Sequence, residues 1–122
     1  PVVGAFDGSR TLLGFASYGQ FRPWPAYKYT VEHSVYVHRD ARRQGVGRAL
    51  LAAIIDAARA NDRHSLIGGI DAENAVSIAL HRAFGFEFCG RIRHAGFKFG
   101  RWVDSVLMQL PLGPGTGAPP SR

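Results

Sequence analysis

Cysteine is almost absent from this chain of 122 residues, which contains a single one, Cys89. One cysteine cannot form an intrachain disulfide or a cysteine-rich metal site, so we expect no bound metal and a reduced, cytoplasmic setting. Long apolar runs are absent too, and residues 1–6 lack the basic stretch that opens a signal peptide. These absences argue against a membrane-spanning protein and against a secreted, disulfide-stabilised one.

Acidic residues are scarce as well: nine of them against 15 Lys and Arg give a formal net charge of +6. Such a charge favours an anionic partner, which could be nucleic acid, a membrane surface or a small molecule with several phosphates. The length allows one compact domain with a single core. We expect this domain over residues 1–112, followed by a Gly/Pro-rich, disordered tail over residues 113–122.

The apolar pattern predicts an α/β fold. An Asp-Gly turn predicts an opening hairpin, and alternating side chains predict a strand over Lys28–Val37 that carries Glu32 on its polar face. The other predicted strands are Val2–Phe6, Thr11–Tyr18, Ser65–Ile70, Phe86–Ile92 and Trp102–Leu110, the last two flanking a basic, aromatic loop, and the predicted helices are Gly45–Ala60 and Asn74–Phe84. Strand–helix–strand order in the middle of the chain implies two parallel strands with a right-handed crossover.

Residues 35–51 join an apolar strand to an apolar-periodic helix through a basic turn that contains Gly45 and Gly47. The glycines allow a tight turn with uncovered backbone N–H groups, and the following helix adds unpaired donors and the positive end of its dipole. The arginines beside the turn are Arg42, Arg43 and Arg48. The turn therefore predicts a binding site for a phosphorylated cofactor.

This turn follows the pattern (Gln/Arg)-x-x-Gly-x-(Gly/Ala) between a strand and a helix, which resembles the pyrophosphate-binding turn of the GNAT acetyltransferase superfamily. It lacks the Gly-Lys-Ser/Thr ending of a nucleotide P-loop and the third glycine of a dinucleotide fingerprint. The resemblance extends along nearly the whole chain except the tail, and it is greatest to the N-acetyltransferases of phosphinothricin and methionine sulfoximine. It rests on Phe21-Arg22, Ala26-Tyr27, Thr30–Val37, Asn74, Ser77, Leu80-His81, Phe84-Gly85-Phe86 and Gly96–Asp104.

The resemblance implies a GNAT-like mixed, twisted central sheet with flanking helices, and transfer of acetyl from acetyl-CoA to the α-amine of a small amino acid. It also implies a homodimer. Family members usually begin with a strand and two helices that form one wall of the substrate cleft, and this chain starts at what resembles the second strand, so we expect that wall to be lacking. The implied cofactor-binding residues are Val35, Tyr36, Val37, Arg42, Arg43, Gln44, Gly45, Val46, Gly47, Arg48, Asn74 and Ser77, the first three on a strand that splays from its neighbour to free backbone groups.

Acetyl transfer to an amine needs a base, because an ammonium cannot attack a thioester before it loses a proton. A tetrahedral oxyanion then forms and a thiolate leaves, with no covalent enzyme intermediate. Glu32 lies on the strand beside the cofactor turn, and the resemblance gives the matching Glu the role of base. The alternative is a strand carboxylate that pairs with a nearby cation.

His81 shares one face of the second predicted helix with Asn74 and Ser77. Many superfamily members carry Tyr at this position as the acid that protonates the thiolate. The phosphinothricin subfamily carries His, which can act as acid or base near neutral pH. The alternatives are a structural histidine and, for Asn74, a helix N-cap.

The loop over residues 21–28 places cations beside aromatics close to Glu32. This combination suits an amino-acid carboxylate or a phosphinate, and it suits single-stranded nucleic acid equally. The cofactor turn fits better than any RNA-binding motif, so we expect neither nucleic acid nor a membrane as a partner. The candidate substrate-binding residues are Arg22, Tyr27, Tyr36 and Lys98, the last of which could equally lie on a solvated hairpin tip.

Other functions stay open on the sequence alone. The expected lack of one wall favours a CoA-binding but catalytically weak regulatory or interaction module. An N-acetyltransferase for another amine and a basic RNA-binding domain are the remaining alternatives.

Overall fold

The computed structural model describes residues 1–42, 44–113 and 117–120. Within these residues the chain forms one six-stranded sheet, two α-helices and two short 3-10 helices. The strands are β1 (Val2–Phe6), β2 (Leu12–Gln20), β3 (Thr30–Val37), β4 (Ser65–Asp71), β5 (Glu87–Lys98) and β6 (Arg101–Pro111). The helices are α1 (Val46–Ala60) and α2 (Ala75–Ala83), and the 3-10 helices are Pro25–Tyr27 and Arg39–Ala41. The predicted α/β class is confirmed.

The sheet is mixed, with the strand order β1-β2-β3-β4-β6-β5. β3 and β4 are parallel and are connected through α1, as the strand–helix–strand order predicts. The remaining neighbours pair antiparallel. The single parallel pair therefore lies at the centre of the sheet, directly after the opening hairpin.

The core lies between α1 and one face of the sheet. Val31 on β3 and Ala16 on β2 face the helix, whereas Glu32 is exposed on the opposite face, as the alternation predicts. The buried residues of α1 recur at helical spacing, and they are Val46, Leu50, Leu51, Ile54, Ile55 and Ala58. Among the described residues, no helix is both long enough and apolar enough to cross a bilayer.

The closing hairpin is longer than the sequence predicts, and the expected basic, aromatic loop was wrong. β5 runs to Lys98, and the tip consists of Phe99 and Gly100, with φ of 52° and 75°. β5 stays paired with β6 up to Lys98, with register shifts between Phe88 and Gly90 and between Ile92 and Gly96. There His94 adopts a φ of 52°, and its N–H donates to Asp104 Oδ1 at 2.8 Å.

The packed part of the chain extends to the end of the predicted domain. Leu112 is buried, and its N–H donates to the carbonyl oxygen of His64 at 2.8 Å. Residues 114–116 and 121–122 of the predicted tail lie outside the described residues. Disorder of this tail stays a prediction.

Gly14 on β2 has no room for a side chain. A Cβ at this position would lie 2.4 Å from the carbonyl oxygen of Tyr36 on β3 and 3.0 Å from Leu50 Cδ1. Gly19 on the same strand provides a matched control, because a Cβ there would meet no atom within 4 Å.

We expect Gly14→Ala to lower the free energy of unfolding by about 1–3 kcal/mol, because β2 and β3 must separate to admit the methyl group. Gly19→Ala should change it by less than about 0.5 kcal/mol. Urea unfolding followed by circular dichroism measures both. Equal stability of the two variants would contradict the close approach of the strands at Gly14.

Candidate active site

β3 and β4 part in the middle of the sheet. They pair only from Thr30 to His33 on β3, opposite Ser65 to Gly68 on β4. Beyond that point β3 stays paired with β2 as far as Val37, while β4 continues to pair with β6. On the edge that faces β4, the backbone of residues 35–37 therefore has no sheet hydrogen bonds within the described part of the chain.

A cleft of about 1190 Å³ opens where the strands part. The predicted cofactor residues that line it are Val35, Tyr36, Val37, Arg42, Gly45, Val46, Gly47, Arg48, Asn74 and Ser77. Gln44 does not line it, and its amide donates to the carbonyl oxygen of Asp40 at 3.4 Å. Arg43 lies outside the described residues. The structure thus gathers residues from β3, the glycine turn and α2 around one cavity.

One end of this cleft is rich in donors and positive charge. Gly45 adopts a left-handed φ of 78° as the N-cap of α1, and the first helical bond runs from Ala49 N–H to the Gly45 carbonyl at 3.0 Å. The N–H groups of residues 46–48 thus have no acceptor within the helix. In the described chain, no carboxylate forms an ion pair with Arg42 or Arg48. This end can bind a polyanion.

The opposite wall of the cleft is held by ion pairs between the β5–β6 hairpin and the segment before α2. Lys98 Nζ pairs with the carboxylate of Asp71, and Arg101 Nη2 lies 2.5 Å from Glu73 Oε1. The hydrogen bond from Lys98 is the main cause that lowers the pKa of Asp71. Lys98, a predicted substrate contact, therefore lines the cleft with its ammonium already engaged.

Glu32 lies on the other face of the sheet from the buried side chains of β3, and it is exposed. A Cβ at Gly69 on β4 would lie 3.4 Å from Glu32 Oε2 and 3.6 Å from Ser105 Oγ, so these two polar groups flank a bare patch of β4. No ion pair of the described residues involves Glu32. Its carboxylate is therefore open to solvent and to a substrate.

The predicted substrate residues do not form one cluster. Tyr36 is exposed on the face of Glu32, with its ring centroid 5.5 Å from that of Phe15. Arg22 and Tyr27 lie in the loop before β3, at the end of that strand away from the cleft. Both contact Phe21: the Arg22 guanidinium carbon is 4.1 Å from its ring centroid, and the Tyr27 ring is 6.4 Å away.

His81 lines the cleft, but its side chain is buried against a second histidine, His33 on β3. The two rings stack with centroids 5.2 Å apart, and their Nε2 atoms are 3.0 Å apart. His81 Nδ1 lies 2.8 Å from the carbonyl oxygen of Ser77. Burial lowers the pKa of His81. Asn74, on the same helix, accepts from Ser77 N–H at 3.0 Å and is thus the N-cap of α2.

His33 is a residue that the sequence pattern did not single out. The alternation places it correctly among the inward-facing residues of β3, but its partner lies 48 positions away. A buried histidine on an otherwise apolar face is the only sign of it in the sequence. In the portion of the chain that the structure describes, no group of three or more His, Cys, Asp or Glu residues is arranged to hold a metal ion.

Comparison with known proteins assigns the chain to a family. Residues 2–107 match the acetyltransferase (GNAT) domain. The L-methionine sulfoximine/L-methionine sulfone acetyltransferase of Pseudomonas aeruginosa is 48% identical over 119 residues, which is 98% of this chain and 69% of that protein. The phosphinothricin N-acetyltransferase of Alcaligenes faecalis is 46% identical over 93% of this chain and 57% of its own length.

A solved structure gives the same result. The GNAT superfamily phosphinothricin acetyltransferase of Sinorhizobium meliloti, in complex with AcCoA, superposes with a TM-score of 0.94 at 41% identity. The match covers 100% of this chain and 66% of that one, so the chain spans between 57% and 69% of the length of these relatives. The overall fold is thus a known one, and the chain belongs to the acetyltransferase (GNAT) domain family.

Proposed function

We propose that this protein transfers the acetyl group of acetyl-CoA to the α-amine of a small amino acid such as methionine sulfoximine or phosphinothricin. The observation that carries the proposal is the cleft between the parted strands β3 and β4, with the N-terminus of α1 and two arginines at one end. The names of the relatives, and the AcCoA bound to one of them, support the donor and the class of acceptor.

The cleft suits a long, anionic cosubstrate. Its volume of about 1190 Å³ exceeds the roughly 300–1,000 Å³ of sites for drug-sized ligands. The pyrophosphate would bind the free N–H groups at the start of α1, with Arg42 and Arg48 beside them. The pantetheine arm would follow residues 35–37 and hydrogen-bond to the strand edge that β4 leaves open, as an added strand does.

Glu32 is the proposed general base. It lies one residue before His33, where the pairing of β3 with β4 ends, on the face opposite the buried side chains. The opening between the strands would let a thioester in the cleft reach that face. There Glu32 would remove the proton of the ammonium, directly or through water. The oxyanion would meet the free backbone N–H groups of β3.

The proposed acceptor site lies on the face of Glu32. Tyr36 is the exposed aromatic on this face, and Arg22 and Tyr27 in the preceding loop would contact the carboxylate or the anionic end of the amino acid. Lys98 could join them only after it exchanges its partner Asp71. The homodimer and the cytoplasmic location stay predictions.

An assay of thiol release tests the function directly. The protein is mixed with acetyl-CoA and with phosphinothricin, methionine sulfoximine, methionine sulfone, unmodified amino acids or a peptide amine. We expect the fastest release of free CoA with phosphinothricin, methionine sulfoximine and methionine sulfone, whose side chains end in a tetrahedral phosphorus or sulfur group. CoA binding without release for any amine would contradict the proposal and favour a weakly catalytic CoA-binding module. Salt-sensitive RNA binding without CoA binding would favour the nucleic-acid alternative.

Glu32→Gln should lower kcat by about 10²-fold or more, because an amide cannot accept the proton of the ammonium. The KM for acetyl-CoA should stay nearly the same, since Glu32 lies outside the proposed cosubstrate contacts. Glu87→Gln, the same change at an exposed position of β5, is the control and should retain wild-type turnover. Unchanged turnover of Glu32→Gln would remove this residue as the base.

Arg48→Ala should raise the KM for acetyl-CoA about tenfold, the loss of roughly 1.4 kcal/mol from a charge-assisted contact to the pyrophosphate. Arg59→Ala, in the last turn of the same helix and outside the cleft, should not change it. The ratio of the KM of Arg48→Ala to the KM of the wild type should be the same with 3′-dephospho-acetyl-CoA, which keeps the pyrophosphate. A ratio near one with this analogue would contradict a contact between Arg48 and the pyrophosphate and would indicate a contact with the 3′-phosphate.

A further inference from the structure

The hydrogen atoms of the pair His33 and His81 can be assigned from its neighbours. A carbonyl oxygen only accepts, so His81 Nδ1, at 2.8 Å from the Ser77 carbonyl, must carry a hydrogen. In a neutral ring His81 Nε2 is then unprotonated and accepts. His33 Nε2, at 3.0 Å, must donate to it. The remaining nitrogen, His33 Nδ1, is then unprotonated, and it is buried without a hydrogen-bond partner.

Both rings are neutral in this arrangement. Burial, and then the nearby His81, lower the pKa of His33 from its ordinary value to about 4. The backbone of Ile67 opposes this lowering of the pKa in part. Burial lowers the pKa of His81 as well. One proton between the two Nε2 atoms is therefore the stable state near neutral pH.

The pair connects two walls of the cleft. His33 is the last residue of β3 that pairs with β4, and His81 lies on the inner side of α2, one turn after Ser77. Gly68 makes room for the contact, because a Cβ there would lie 2.8 Å from His33 Cε1 and 3.3 Å from His81 Nε2. The ring of Phe86 packs against both histidines, with centroids at 5.5 and 4.9 Å.

We propose that His33 is a positioning residue: its Nε2–H holds His81 in one tautomer and one orientation, and thereby fixes the cleft-lining first turns of α2 opposite the open edge of β3. His81 in turn holds the carbonyl of Ser77. With both ring nitrogens engaged, His81 acts as an acceptor within the wall and does not supply a proton to the leaving thiolate. This role rests on the proposed function only in that the cleft binds CoA.

The hydrogen bond itself is tested without any variant. In protein labelled with ¹⁵N at histidine, the expected result near pH 7.5 is a scalar coupling between the two Nε2 atoms, with one hydrogen on His33 Nε2 and one on His81 Nδ1. Absence of the coupling, or the opposite tautomer at His81, would overturn the proposal. This measurement is independent of acetyl transfer, so its outcome holds even if no amine is a substrate.

The positioning role is tested by His33→Leu and His33→Gln. Leucine removes the donor, so the dissociation constant for CoA should rise about five- to tenfold, and the ¹⁵N signal of His81 Nε2 should move to the frequency of a nitrogen without a hydrogen bond. Glutamine offers an amide N–H at a similar reach and should restore most of the affinity and the shift.

His64→Leu is the control, because it removes a partly buried imidazole that packs on Tyr29 at the far end of β4. Its affinity for CoA should match that of the wild type. If His33→Leu folds and binds CoA as the wild type does, or if glutamine rescues no better than leucine, His33 has no positioning role. If the wild type binds no CoA at all, the proposed function fails, and the scalar coupling alone decides whether His33 holds His81.

Discussion

The parting of β3 from β4 after His33 and Gly68 is the constraint on which the site depends. After this point each strand continues only with its outer neighbour, β3 with β2 as far as Val37 and β4 with β6 as far as Asp71. An open strand edge inside a sheet would usually be a liability, since its backbone donors and acceptors lack partners. Here that edge lines the cleft, and a ligand that runs along it can satisfy these groups. The cavity therefore follows from the backbone pairing, and few side chains are needed to create it.

The gap between β3 and β4 also connects the two faces of the sheet. The inward side chains of β3 face the helices, and Glu32 lies on the other face. A closed sheet would separate a cosubstrate bound on the helix side from a base on the opposite side by a full layer of backbone. The gap after His33 removes that layer at one point. On the proposed function, the thioester is placed there, within reach of both the free backbone donors and the carboxylate.

Local sequence patterns predicted the elements on which the site is built. The alternation along β3 placed Glu32 and Tyr36 on the exposed face, and the glycine turn marked the start of α1. Helical periodicity predicted α1, whose buried face includes Leu51 and Ile55 beside Leu50 and Ile54 and is thus wider than a narrow stripe. Periodicity reports which face of an element is buried and says nothing of what covers it.

For that reason, contacts between residues far apart in the sequence could not be predicted. The pairing of His33 with His81 joins a strand to a helix across 48 positions, and no local signal encodes it. The predicted length of the closing hairpin was wrong for a related reason. β5 stays paired past the irregularity at His94, whose N–H donates to Asp104 on the opposite strand. The histidine pair and the long hairpin each depend on a side chain that contacts a residue distant in the sequence. Such contacts form only once the sheet has assembled.

Two arginines lie at the donor-rich end of the cleft, and their position bears on the kind of anion that the cleft can bind. On the closing hairpin, Arg91, Lys98 and Arg101 are each paired with a carboxylate. At the glycine turn, Arg42 and Arg48 form no ion pair with any described carboxylate. A nucleic-acid surface would need free cations spread along a stripe to follow a phosphate backbone. Arg42 and Arg48 lie together at one helix N-terminus inside a cleft, and this grouping suits one compact polyphosphate such as the pyrophosphate of CoA.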